Sequence, residues 1–401
     1  MDTHKRSPST NFTLATMRPL FSLTQPEFTC RICCCQIASR ESESMLSKRI
    51  NEIDLLRFIA AMAVVLFHYS FRGYYADDMT SMHYPALEPV AKYGYLGVEL
   101  FFMISGFVIL MSVSGESIRQ FFVSRVTRLY PAFWACCTLT FLVSLAIGGE
   151  KYSPTFLNYF KNMTMLGGFF GVPSIDGVYW SLFVEMMFYS IIAALLAIRQ
   201  MHRVEIFLIL WIVATIVIEA IDIKPLRLLF ITSYSCYFIA GAFFYKVWHA
   251  GATPKRMAAI IACLLITSYQ SVMFVGTMDK IYGTGFSSVI ACVINVLMFA
   301  VMYLVATGKT GVLKNKTWKT LGALTYPLYL IHQFVGFMIF NYFESAVNTH
   351  VLFWGVLALM LCVSYAVNVL VERKLSGPMK SALYKFLQVK SKKPVTLQNP
   401  T

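Results

Sequence analysis

Apolar runs of about 20 residues recur from residue 53 to residue 371 of this 401-residue chain. A helix rises about 1.5 Å per residue, so each run is long enough to cross a hydrocarbon core of about 30 Å. In lipid, backbone polar groups must be satisfied internally, which leaves helices or a closed barrel. The runs are continuously apolar rather than alternating, so helices are expected. Their expected cores are 53–71, 94–113, 129–148, 179–198, 204–221, 228–247, 257–276, 286–307, 321–343 and 350–371. The expected fold class is an all-α membrane protein with about ten transmembrane helices and no separate soluble domain. Hydrophobic residues make up 57% of the chain and charged residues 13%. Soluble domains carry about 25% charged residues, so a disordered chain and an ordinary soluble enzyme are excluded.

Charge gives the topology. The formal net charge is +14. With residue 45 inside, segments 45–52, 114–128, 199–203, 246–256, 308–320 and 372–401 fall on the cytoplasmic side and hold 21 Lys and Arg residues. The opposite segments, 72–93, 149–178, 222–227, 277–285 and 344–349, hold 7. Basic residues gather on the cytoplasmic side, so both termini are expected there. The excess reads as topology, and no basic-aromatic stripe points to nucleic acid. The amphipathic stretch Thr155–Leu166 in the longest outer segment is expected to lie along the outer interface.

The ends and the cysteines carry less. Residues 1–44 are rich in Ser and Thr and lack an apolar h-region. They are expected to be a disordered or spurious extension, with Met45 as the true start. Residues 376–401, with Lys385, Lys390, Lys392 and Lys393, read as a basic cytoplasmic tail near anionic lipid. Cys136, Cys137, Cys236, Cys263, Cys292 and Cys362 read as small buried hydrophobes. Cys30, Cys33, Cys34 and Cys35 have no matching second pair nearby, so no metal site is expected.

Ionisable residues inside spans are costly and are functional candidates by default. Arg57 and His68 are eleven residues apart, three turns plus about 20°, which places them on one helix face. Their axial separation is about 16 Å. A cation at the inner mouth and an imidazole deeper on the same stripe suit a channel for a long anionic ligand. An Asp54–Arg57 anchor with an interfacial histidine explains the same residues equally well. Glu99 lies in Gly97–Gly106, either a partner for His68 or half of a structural pair with an outer Lys or Arg. Arg125 and Arg128 share a face at i,i+3 and suit phosphate, or they are plain inside charge. Tyr179 and Trp180 suit an interfacial belt, and Glu185 lies one to two turns deeper. Tyr326, Tyr329 and His332 are spaced for a hydrogen-bonded row, or His332 is a satisfied core residue.

Taken in order along the chain, these segments resemble the acyltransferase 3 family of membrane O-acyltransferases. The resemblance covers about residues 48–375. Arg57 and His68 match the family's R-x10-H, and Arg125 and Arg128 match its R-x-x-R. The stretches around Gly97–Gly106, Tyr179–Tyr189 and Tyr326–His332 also look like its recurring pieces. Glu99 stands where Asp is more usual, and an appended esterase-like domain is not seen.

The resemblance implies a bacterial inner-membrane enzyme that passes an acyl group, often acetyl, from cytoplasmic acyl-CoA to a glycan hydroxyl. Acyl-CoA (acetyl-CoA) would be a donor substrate, with no permanently bound cofactor and no metal. The partners would be a carbohydrate or lipid-linked glycan and membrane lipid. In that frame Arg57, Arg125 and Arg128 hold the donor's phosphates, and His68 is general base or acyl carrier. Glu99 or Glu185 orients the imidazole; Asp54, Tyr179, Trp180, Tyr326, Tyr329 and His332 support the site. Buried Glu and His residues also fit a proton-coupled transporter, although no inverted repeat is visible. A non-catalytic assembly factor for envelope polysaccharide is a third reading.

Overall fold

The computed structural model describes residues 50–389, apart from Asp77 and Ser114. The 1–44 leader, Met45, Cys30, Cys33, Cys34, Cys35, Lys390, Lys392 and Lys393 lie outside the described residues. Among the described residues every regular element is a helix. In chain order the α-helices of six residues or more are α1 (Asn51–Phe67), α2 (Leu96–Val113), α3 (Ile118–Ile147), α4 (Phe156–Asn162) and α5 (Tyr179–Ala197). Then come α6 (Val204–Ile221), α7 (Lys224–Leu229), α8 (Ser235–Ala250), α9 (Pro254–Tyr282) and α10 (Ser288–Ala306). The last three are α11 (Lys319–Phe343), α12 (Thr349–Val367) and α13 (Arg373–Phe386).

Nine of the described helices are long and apolar enough to cross a membrane. The chain is therefore an all-α, multi-pass membrane protein. The sixth expected span is not among these nine because its helix is shorter. Arg256 ties its end at Ala250 and Gly251 to Glu205 of α6, so it still returns the chain to the side where α6 starts. Instead of one helix over 228–247, α7 is followed by an irregular turn, and α8 runs for only 16 residues. Thr232, Ser233 and Ser235 interrupt the apolar run here, and such side chains compete for backbone bonds. The freed carbonyls are satisfied within the protein. Trp211 Nε1 donates to Phe230 O at 3.0 Å, and Gln270 Nε2 donates to Thr232 O at 3.1 Å. Irregular backbone at membrane depth is tolerated only with such partners.

Local signals set other boundaries. Ser117 and Gln120 form a reciprocal capping box that starts α3. Thr253 caps α9, with Pro254 in its first turn. α2 and α8 cross at very short range. A Cβ on Gly106 would lie 2.0 Å from Phe238 O, and one on Gly241 would lie 1.8 Å from Met103 O. Without a hydrophobic drive between helices in lipid, such small residues give the contact its packing energy.

The connections sort into two ends. Asn51 donates to Lys314 O at 3.2 Å, and Arg119 donates to Leu387 O at 3.1 Å. Arg256 pairs with Glu205 at 2.8 Å. At the other end Arg72 donates to the Tyr282 hydroxyl at 2.9 Å, and Tyr84 bonds His350 at 2.8 Å. These two groups are the basic-rich and basic-poor segments of the sequence.

Three expectations change. The Thr155–Leu166 stretch does not lie along an interface; it runs back beside α3. Phe156 packs on Phe141, the Tyr159 hydroxyl meets Thr138, and Met163 O accepts from Trp134. Thr164 O accepts from Tyr130, eleven residues from Phe141 and about 16 Å lower on the helix. Apolar Phe156, Leu157 and Phe160 stay exposed on its outside, where lipid can cover them. The basic tail is helical to Phe386 and meets the start of α3. Cys136, Cys137, Cys236 and Cys263 are buried as expected, but Cys362 is exposed on α12.

Candidate functional site

α1 continues past Phe67 into a π-helical turn, His68–Arg72. Such turns insert an extra residue and redirect side chains. Here the turn begins on His68, which meets His332 of α11. His332 Nε2 lies 3.1 Å from His68 Nδ1, with the rings 5.0 Å apart and edge-on. The remaining bonds fix the tautomers. His332 Nδ1 faces two carbonyls, Tyr329 O at 2.9 Å and Leu328 O at 3.1 Å. His68 Nδ1 faces Val64 O at 2.8 Å. A carbonyl only accepts, so each Nδ1 carries a proton. His332 Nε2 is then an acceptor, and the single His68 Nδ1–H is shared between it and Val64 O. The lone pair of His68 is left on its Nε2.

Inward of this pair lies a narrow cavity of about 60 Å³. Its wall includes Arg57, Arg128, Ser105, Ser181, Glu185, Tyr326 and Tyr329. Arg57 faces Arg128, with the charges of Glu185 and Asp54 in reach. Asp54 itself lies against Gly322, where a Cβ would come within 2.5 Å of its Oδ1. Glu185 Oε1 accepts from Ser105 Oγ at 2.5 Å and from the Tyr189 hydroxyl at 2.6 Å. Tyr329 links the cavity to the histidines. Its hydroxyl bonds Ser181 Oγ at 2.7 Å, and its ring packs 5.7 Å from that of His332.

The sequence-based site is thus partly redrawn. His68 hydrogen-bonds to Val64 and His332, not to Glu99 or Glu185. Glu99 forms no ion pair with a Lys or Arg among the described residues. Arg125 and Arg128 do not form one face on the cavity. Arg128 lines it, whereas Arg125 stacks over Phe121 and Tyr189 and bonds Ser124. The two guanidinium groups therefore serve different surroundings one turn apart. Tyr326, Tyr329 and His332 make no row, since Tyr326 donates to Leu129 O and Tyr329 bonds Ser181. Tyr179 is buried on Phe133 rather than sitting in a belt, and Trp180 lies against Phe102 and Tyr234.

The reason is that α5 starts inside the bundle. Ser181 meets Tyr329, and Asp176 accepts from the Phe334 backbone at 3.0 Å. Those two positions are about 15 and 22 Å along α11, near its middle. Asp176 is fully buried and also accepts from Val178 N at 3.2 Å, holding the 172–178 segment beside His332. Asp176, Ser105 and Ser181 were not singled out from sequence. For the two serines the available signal was a small polar residue within an apolar helix, which is common and says little until its partner is known; Asp176 precedes α5 in an irregular segment.

A buried histidine pair, joined through Tyr329 to an arginine-lined intramembrane cavity, defines the class: a multi-pass helical membrane protein with a polar site inside its bundle. The family model for the acyltransferase domain matches residues 50–369. The chain belongs to the acyltransferase 3 family. It is 29% identical over 167 residues to nodulation protein 10 of Rhizobium leguminosarum, covering 37% of this chain and 44% of that one. It is 28% identical over 169 residues to the peptidoglycan O-acetyltransferase OatA of Listeria monocytogenes, covering 37% and 24%. With the exopolysaccharide production protein ExoZ of Rhizobium meliloti it shares 25% identity over 284 residues, 65% of this chain and 80% of that one. The chain spans less than half the length of the first two relatives. No solved structure matches.

Proposed function

We propose that this protein transfers an acyl group, most simply acetyl, from cytoplasmic acyl-CoA to a hydroxyl of an envelope or exported carbohydrate, within the bacterial inner membrane. The observation that carries the reading is the buried His68–His332 pair, joined through Tyr329 to a cavity that holds Arg57 and Arg128. The names of OatA and ExoZ support the carbohydrate acceptor.

In this reading Arg57 and Arg128 bind donor phosphate by charge-assisted hydrogen bonds. Glu185 holds the guanidinium cluster in place. The separation of Arg57 from His68, about 16 Å along α1, matches an extended pantetheine arm. His68 Nε2 takes the proton of the acceptor hydroxyl as its oxygen attacks the thioester carbonyl. The C–S bond breaks, and the imidazolium returns that proton to the CoA thiolate, so atoms and charge balance. His332 keeps the His68 tautomer correct and the ring in place, the role a carboxylate has in a serine-hydrolase triad.

Inverted membrane vesicles containing the protein, given acetyl-CoA labelled in its acetyl group, test the donor. The expected result is base-labile label in glycan-containing material, unaffected by an uncoupler. No incorporation, or incorporation that collapses with the proton gradient, would favour the transporter reading instead.

A further inference from the structure

Glu99 is a buried acid that the transfer mechanism does not use. Its neighbours on α2, Val98, Phe101, Phe102 and Ser105, line the arginine cavity, and Glu99 does not. It is 9% exposed, and its Oε2 has no hydrogen-bond partner among the described residues. One turn before it, the buried hydroxyl of Tyr95 is also without a partner. Across from them, the Tyr237 hydroxyl of α8 bonds Ser271 Oγ of α9 at 3.3 Å. The preceding residue, Gln270, has a buried Oε1 with no partner. Phe274, one turn further along α9, packs on the Tyr95 ring at 5.4 Å.

The titratable groups within electrostatic reach of Glu99 are Tyr95 on its own segment, Tyr234 just before α8, Tyr237 within it, and Tyr329 from α11. Cys292 of α10 stands beyond Tyr95. None of these can carry a positive charge. A lone carboxylate at membrane depth is costly unless a cation balances it. The surrounding atoms are hard oxygens with a single formal negative charge, which suits a monovalent ion; divalent ions take several carboxylates.

We propose that Glu99, with Tyr95, Tyr237 and Ser271, forms a binding site for a monovalent cation, either Na⁺ or a proton. The site stands on this geometry and does not depend on the transfer reaction. Because α2 is the wall shared with the arginine cavity, occupancy would set how firmly that wall is held.

The test is thermal unfolding of the full chain in phospholipid nanodiscs, in NaCl, KCl or choline chloride at matched ionic strength, at pH 6 and pH 8.5. For a Na⁺ site, the midpoint at pH 8.5 should rise saturably with NaCl by about 3 °C or more and not with choline. For a proton site, it should be higher at pH 6 than at pH 8.5, without a Na⁺ effect. Glu99→Gln should remove whichever response the native protein shows. Tyr95→Phe, which keeps the carboxylate, should raise the half-saturating Na⁺ concentration or, by removing a donor to the ionised carboxylate, raise the pH midpoint; it decides the matter if Glu99→Gln does not fold. A native protein indifferent to both Na⁺ and pH, a response retained in Glu99→Gln, or an unshifted Tyr95→Phe would overturn the proposal.

Discussion

Glu185 and Glu99 are two acids in apolar helices, and the bundle treats them differently. Glu185 is half-buried, takes two hydroxyl bonds on one oxygen and faces guanidinium groups across the cavity. Glu99 is more deeply buried, ringed by tyrosines, and has an oxygen with no partner. An acid in a span is therefore not a role in itself. What neighbouring helices bring to it decides whether its charge is matched inside the protein or from outside.

That comparison can be broken by mutation. Glu185→Ala removes the acceptor for Ser105 and Tyr189 and leaves Arg57 and Arg128 facing each other. Removing one partner of a buried charge cluster costs far more than the pair is worth. Transfer should fall by roughly 100-fold in kcat/KM, while Glu99→Gln should leave the donor KM within about threefold. Steady-state kinetics with varied acetyl-CoA checks both, and equal losses would erase the distinction.

His332→Ala should have a smaller effect, roughly 10- to 50-fold in kcat, because Val64 O still holds the His68 tautomer. Its signature is a displaced pH–rate profile with the donor KM unchanged. A variant that lost only protein stability would not move that profile.

The smallest contrast separates the two arginines. Arg128→Ala should raise the donor KM about tenfold with little change in kcat, the loss of one charge-assisted phosphate contact. Arg125→Ala should change it by no more than about threefold, since Arg125 is spent on Phe121, Tyr189 and Ser124. Isothermal binding of CoA to the two variants would serve as well as kinetics.

Much of the fold was legible because spans are long apolar runs whose flanks differ in charge. Arg57 and His68 were legible as ionisable residues at the two ends of one span, but the π-helical turn that starts at His68 was not, and of the two only Arg57 lines the cavity. Two breaks were hidden. The 228–247 run is apolar enough to be read as one helix, yet the backbone turns at Thr232 because Trp211 and Gln270 supply its missing bonds. Likewise Thr155–Leu166 has interfacial composition, and only its contacts with Tyr130, Trp134 and Thr138 reveal that it folds back along α3. The histidine partner was visible as a residue but not as a partner. His332 lies 264 positions from His68, and no local period relates two helices that far apart. Glu99 and Glu185 were natural choices to orient His68 because a carboxylate usually does so.

The central claim is that His68 performs acyl transfer onto a glycan hydroxyl. The most direct measurement is mass spectrometry of base-labile acyl groups on envelope and exported glycans. Cells would lack the gene, carry it restored, or carry His68→Ala at equal membrane abundance. The account predicts acylation in the restored strain only, with His68→Ala indistinguishable from the deletion. Acylation by His68→Ala at the wild-type level would contradict it.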